Sequence, residues 1–156
     1  MSKWRDIVLR SPSVKNKDVC VFNPPVTEDE LQRFEAEIGA KLPADVREML
    51  LEFNGMEQPE WGQRAPFILG TSHMKLPEFY TDWDVPTDKL VEWSKNIVYV
   101  KQFNSFTYLW GVVVKPFAEF QIGDIVEFDH DDIGDAEEAS DLLASRHKNL
   151  EDVLLN

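Results

Sequence analysis

The stretch Val26-Thr27-Glu28-Asp29-Glu30-Leu31, running on through Phe34-Glu35, Ile38-Gly39 and Leu42-Pro43-Ala44-Asp45 to Met49-Leu50 and Phe53-Asn54-Gly55, carries two helix signatures back to back. Thr27 suits an N-cap, because its hydroxyl can accept from the free amides of a first turn, and Glu30 is placed to reach back to the Thr27 amide. Val26 and Leu31 flank that cap as a hydrophobic staple, after which Leu31, Phe34 and Ile38 fall on one helical face. Gly39 ends the helix, since glycine takes the left-handed conformation of a helix stop without steric cost. Pro43 then stands where a first helical residue tolerates a missing N–H, and Val46, Met49, Leu50 and Phe53 follow at helical offsets until Gly55. So short a link makes the two helices packing neighbours with their apolar faces on a shared core.

Upstream, residues 1–25 carry Lys3, Arg5, Arg10, Lys15 and Lys17 and close on Pro24-Pro25. They read as an N-terminal extension ahead of a single domain spanning 26–156, because the one helical pattern, Trp4 with Ile7 and Val8, is too short to stand alone. Downstream, from Met56 to Asn96, Pro59, Pro66, Pro77 and Pro86 alternate with Trp61, Phe67, Phe79, Tyr80, Trp83 and Trp93, so regular structure should be short. Phe67-Ile68-Leu69 is a candidate strand and Thr87–Ser94 a candidate helix of one or two turns. The aromatics either cap the edge of the core or form part of a binding surface, where large side chains with polar tips are enriched.

Runs rich in Val, Ile, Tyr and Phe predict strands over Ile97–Lys101, Thr107–Lys115, Ala118–Ile122 and Asp124–Asp129, separated by turn residues at Asn104-Ser105, Lys115-Pro116 and Gly123-Asp124. An antiparallel meander is the simplest way to join them. The chain then returns to helix over Glu137–Ser145 and, capped by Asn149, over Leu150–Leu155. The predicted class is therefore α+β: an antiparallel sheet packed with an N-terminal helical hairpin and C-terminal helices.

At 156 residues with 43% hydrophobic and 29% charged side chains, the chain has the composition of one folded domain. Its longest uncharged stretch, Gln102 to Val114, is shorter than the roughly 20 residues of a membrane-spanning helix, and the N-terminal region lacks the apolar core of a secretory signal. A cytoplasmic protein that does not use the membrane is expected. Cys20 is the single cysteine, which excludes an intrachain disulfide and a cysteine-built zinc site.

Twenty-nine acidic against sixteen basic residues give a formal charge of -13, which repels phosphate backbones and favours a basic protein as partner over nucleic acid. The charge is concentrated: between Lys115 and Arg146 there is no lysine or arginine but ten acids, Asp124, Glu127, Asp129, Asp131, Asp132 and Asp135 among them. Crowding like charge costs stability through self-repulsion, so a cationic partner that offsets it is the economical reading beside a merely solvated loop. Calcium is a third reading of Asp129–Ser140, but Ile133 and Ser140 occupy two positions where an EF-hand loop places ligands.

No glycine-rich phosphate loop, nucleophile elbow or paired-histidine spacing is present, so neither an enzyme nor a cofactor is expected. Asp124, Glu127, Asp129, Asp131, Asp132 and Asp135 are the candidate partner-facing acids, with Trp61 and Trp83 as candidate aromatic anchors.

The Val26–Gly55 blocks resemble the opening of the SUKH superfamily, the Smi/Knr-like proteins. Trp110-Gly111 within Tyr108–Val114 is similar to that family's central strand, Gly123-Asp124-Ile125-Val126-Glu127-Phe128-Asp129-His130-Asp131 to a later strand, and Leu143-Ala144-Ser145 with Asn149–Leu154 to its closing helix. The resemblance covers residues 26–156. It departs in the first 25 residues and in the long, aromatic segment Met56–Asn96. It implies an α+β fold and, in bacteria, an immunity protein that neutralises a cognate toxin, many such toxins being nucleases. In fungi it implies a cell-wall assembly regulator acting as an interaction hub. A monomer that occludes a basic toxin one-to-one is the expected function, with the hub as alternative. Because members vary their contact surface, the resemblance transfers no contact residue.

Overall fold

A computed structural model describes residues 3–77, 88–129, 138, 139, 143 and 145–156. Six strands follow one another across a single sheet in the order of the chain, and every neighbouring pair is antiparallel. They are β1 (Val21–Phe22), β2 (Met56–Glu60), β3 (Gln63–Ile68), β4 (Ile97–Phe103), β5 (Tyr108–Val113) and β6 (Ile125–Asp129). The helices whose bounds fall among the described residues are α1 (Lys3–Leu9), α2 (Glu28–Ile38), α3 (Ala44–Glu52), α4 (Asp88–Ser94) and α5 (Leu150–Leu155), with a 3-10 turn at Lys17–Val19. The expected meander and α+β class are what forms.

The α2–α3 hairpin forms as its residues dictate. The Thr27 hydroxyl accepts from the Glu30 amide at 3.2 Å, and Gly39 closes α2 at φ 72°. The Glu30 carboxylate accepts from the Thr27 hydroxyl at 3.0 Å rather than from its backbone amide. Pro43 takes the cap position itself, so α3 starts one residue later than expected, and Phe53 is its C-cap, two residues before Gly55. Arg47 on α3 clamps the pair by reaching Glu28 at 2.6 Å and Glu35 at 3.2 Å on α2. Leu31, Val46, Met49 and Leu50 are completely buried beneath this clamp.

Residues 3–25 contribute to this core. Trp4, Ile7 and Val8 on α1 join the same buried cluster as α2, α3 and the sheet, and Val21–Phe22 pairs with β2 as its first strand. The Glu52 carboxylate of α3 accepts from the Trp4 and Arg5 amides at 2.7 and 2.9 Å, satisfying the open end of a helix too short to persist alone.

Two further differences are local. Met56–Glu60 and Gln63–Ile68 make a full hairpin, although each contains a proline, Pro59 paired with Arg64 and Pro66 with Glu57. Ala118–Ile122 is not a strand: Phe117 and Phe120 exchange backbone hydrogen bonds across a tight turn, with Ala118 at φ 48°. The helix expected over Thr87–Ser94 forms as α4 over Asp88–Ser94, Thr87 lying outside the described residues, and Asn149 caps α5 by accepting from the Asp152 amide at 2.9 Å. Of the expected helix Glu137–Ser145, the described residues Ala139 and Leu143 are helical and buried, and most of the remainder lies outside the described residues.

Central strand β4 is buried at every position from Ile97 to Gln102, so both of its faces are covered. A bulge between Tyr99 and Lys101 inserts Val100 as the extra residue, pairing Tyr99 with Gly111 and Lys101 with Trp110. That one-residue shift turns Lys101 onto the same face as Phe103, Tyr108, Trp110, Glu127 and Asp129.

Candidate functional site

Two hairpin tips meet at one end of the sheet. Trp61, in the β2–β3 turn, is 79% exposed, and its indole Nε1 donates to Asn104 Oδ1 in the β4–β5 turn at 3.2 Å. Beside Asn104, Phe103 and Tyr108 are directly opposite each other, 46% and 37% exposed, with ring centroids 6.3 Å apart. Tyr108 leads on to Trp110 at 6.5 Å, so the aromatic surface runs from the tip down the open face.

The backbone holding these rings is strained and braced. Trp61, Asn104, Ser105 and Phe106 all have left-handed φ, between 52° and 66°, a region costly for residues with a Cβ. The Glu60 carboxylate accepts from the Ser105 amide and from its hydroxyl at 3.4 Å. Buried Gln102 adds a bond from the Phe106 amide at 2.8 Å, one to Glu60 at 3.4 Å and one to the Pro66 carbonyl. Exposed rings on an over-determined turn lose little freedom when covered, which favours binding.

The candidate acids divide. Asp129 pairs in register with Tyr108, which puts the last residue of β6 beside the aromatic surface. Glu127, half-buried, accepts from the Trp110 indole at 2.6 Å and lies 3.9 Å from His147 Nε2, so it is engaged inside the face. Asp124 sits at the other end of β6, about 17 Å further along at the usual strand rise. Its carboxylate there accepts from the Gln121 amide at 2.8 Å. Asp131, Asp132, Asp135 and Trp83 lie outside the described residues, as does most of the Asp129–Ser140 loop weighed for calcium. Among the described residues no group of three or more His, Cys, Asp or Glu side chains could hold a metal ion. Nor is any described helix long and apolar enough to cross a membrane.

Phe103, Tyr108 and Lys101 were not legible as site residues. The Asn104-Ser105 turn could have paired Phe103 with Tyr108, but nothing local marks the bulge that turns Lys101. Lys101 is 3% exposed, donates to the Val153 carbonyl of α5 at 3.0 Å and lies 4.9 Å from the Trp110 ring centroid. Burial pulls its ammonium down to about 8, opposed by the Glu127 charge.

A comparison with curated proteins found no similar sequence. The family model described as SMI1 / KNR4 family (SUKH-1) matches residues 25–154, which take in the helical hairpin, the sheet from β2 to β6 and nearly all of α5. Together with the antiparallel α+β architecture, that match makes the chain a member of the SMI1/KNR4 (SUKH-1) family.

Proposed function

We propose that the chain is a non-enzymatic immunity-type protein, cytoplasmic and monomeric, which neutralises a cognate basic toxin by covering it in a one-to-one complex. Family membership supports a binding role. What favours this surface is the exposed Trp61–Phe103–Tyr108 strip, with Asp129 paired in register to Tyr108 beside it. Aromatic anchors supply apolar contact at little entropic cost, while the acids steer a cationic partner and set its orientation. A toxin that grips nucleic acid through lysines and arginines would present matching charge, which makes a nuclease the natural class.

Titration of the purified partner's activity is the test. Inhibition should saturate at one equivalent, and Trp61→Ala or Tyr108→Ala should weaken binding by about tenfold or more without changing the fold. Loss of activity at a small fraction of an equivalent would indicate catalysis and end the proposal. Comparable weak binding to several unrelated proteins would instead support the hub reading.

A further inference from the structure

Two rows of side chains cross the open face of the sheet, one directly outside the other. In the inner row Lys101 on β4 is opposite Trp110 on β5, and Trp110 is opposite Glu127 on β6. In the outer row, two residues nearer the β4–β5 turn, Phe103 is opposite Tyr108 and Tyr108 is opposite Asp129. Alternate residues of a strand share a face, so both rows look the same way, about 7 Å apart at the usual strand rise. The Tyr108 and Trp110 ring centroids, one from each row, are accordingly 6.5 Å apart.

The inner row carries its own cation. The Lys101 ammonium lies 4.9 Å from the Trp110 ring centroid, and the Trp110 indole donates to the Glu127 carboxylate at 2.6 Å. Cation, ring and carboxylate thus follow one another across three strands; burial pulls the Lys101 ammonium down, and the Glu127 charge opposes that fall. The outer row repeats the ring and the carboxylate, but where the inner row has its lysine it has a second ring, Phe103. Both outer rings are exposed, and among the described residues no cation of the chain stands over either. Arg146 lines one hollow with Phe103 and the inner row, and neither Tyr108 nor Asp129 borders it.

We propose that the outer row receives an arginine side chain of the partner protein, its guanidinium against the Phe103 and Tyr108 rings and its N–H groups reaching the Asp129 carboxylate. This rests on the reading of the strip as the contact surface for a basic protein, and it names the group that binds there. The chain shows the arrangement once already, in Lys101, Trp110 and Glu127. Arginine suits the outer row better than lysine, because a planar, weakly hydrated guanidinium stacks on a ring while its edge forks to a carboxylate, whereas an ammonium is a point charge that holds its water. The Phe103 and Tyr108 centroids are 6.3 Å apart with the rings inclined at 36°, so they offer a broad platform and not a closed stack. A carboxylate has about four acceptor sites, so a donor from the partner adds to the interaction Asp129 already makes. A net charge of -13 draws such a group in.

The probe is Nα-acetyl-arginine amide, and the controls are the citrulline compound, of the same shape without the charge, and the lysine compound. Each is added to the full chain up to about 100 mM at constant ionic strength while the Phe103 and Tyr108 ring resonances are followed. The arginine compound should move both rings saturably, the lysine compound should bind more weakly by about threefold or more, and the citrulline compound should do nothing. Phe103→Leu, at an exposed position, and Asp129→Asn should each weaken arginine binding by about threefold or more. Asp124→Asn, the same charge change at the far end of β6, should leave it as it is. An equal response to the citrulline or lysine compound, no saturable response to arginine, an unchanged affinity in Phe103→Leu or Asp129→Asn, or an equal loss in Asp124→Asn would overturn the assignment. Inhibition of the toxin at one equivalent without an arginine response would sink this site alone, and an arginine response without inhibition would sink the toxin reading alone.

Discussion

Replacing Lys101 by Met should make the protein more stable at neutral pH, although it deletes a hydrogen bond. Lys101 is 3% exposed, and burial lowers its ammonium from 10.5 to about 8. That difference corresponds to about 3 kcal/mol by which the fold disfavours the charged form. Met keeps the length and apolar stem of lysine without the charge. Against the relief stand the bond to the Val153 carbonyl, about 1 kcal/mol, and the contact with the Trp110 ring, of about 0.5 to 1 kcal/mol. The variant should therefore gain about 1 to 2 kcal/mol at pH 7. As pH rises through about 8 the folded protein gives up this proton, while the unfolded chain holds it until near 10.5. Over that window the unfolded state binds more protons, so wild-type stability rises relative to the variant. By about pH 10 the advantage of Met should have vanished or reversed, leaving only the missing hydrogen bond. Urea unfolding of both proteins at pH 7 and pH 10, followed by tryptophan fluorescence, measures the two differences. A variant less stable at pH 7 by the same amount as at pH 10 would refute the claim that the buried ammonium costs stability.

Leu50→Ala, at a completely buried position in the α2–α3 hairpin, should cost about 2 to 5 kcal/mol in chemical denaturation, and a loss well below 1 would mean the hairpin is not core. Gly111→Ala should destabilise markedly in the same assay, because a Cβ there would stand 2.6 Å from Ile97 Cγ2 and 3.0 Å from the Val98 carbonyl. Trp61→Ala should leave the unfolding midpoint within about 0.5 kcal/mol of wild type, as expected for an exposed side chain, while weakening partner binding. Neutralising Asp131, Asp132 and Asp135 together should slow association and flatten its salt dependence, measured by stopped-flow at low and high salt, with folding unharmed.

The opening helices were legible because their signals are local. A cap hydroxyl, a staple and a stop glycine act within one turn, so Thr27, Val26, Leu31 and Gly39 take in the fold the roles their spacing announces. The strands at Ile97 and Tyr108 were legible for the same reason, since β-branched and aromatic runs prefer extended backbone wherever they pack. Where local preference was weak, partners decided. Pro59 and Pro66 argue against strands, yet pairing on both sides of β2 recruits that hairpin into the sheet. Residues 3–9 are too few to hold a helix, and α1 persists because Trp4, Ile7 and Val8 are buried and Glu52 supplies its first hydrogen bonds.

Charge and composition announced an acidic protein, and they stop there, because composition has no geometry. Register is a property of two strands at once, so pairing alone brings Asp129 to Tyr108 and commits Glu127 to the Trp110 indole. Exposure likewise belongs to the assembled surface: Trp61 stands out at 79% whereas Phe67, in the same segment, is sealed in at 1%. The buried ammonium depends most fully on tertiary structure. A lysine at the end of an apolar run reads as the solvated edge of a strand. Only the bulge after Tyr99, the Trp110 ring opposite and the α5 carbonyl above place Lys101 inside the protein.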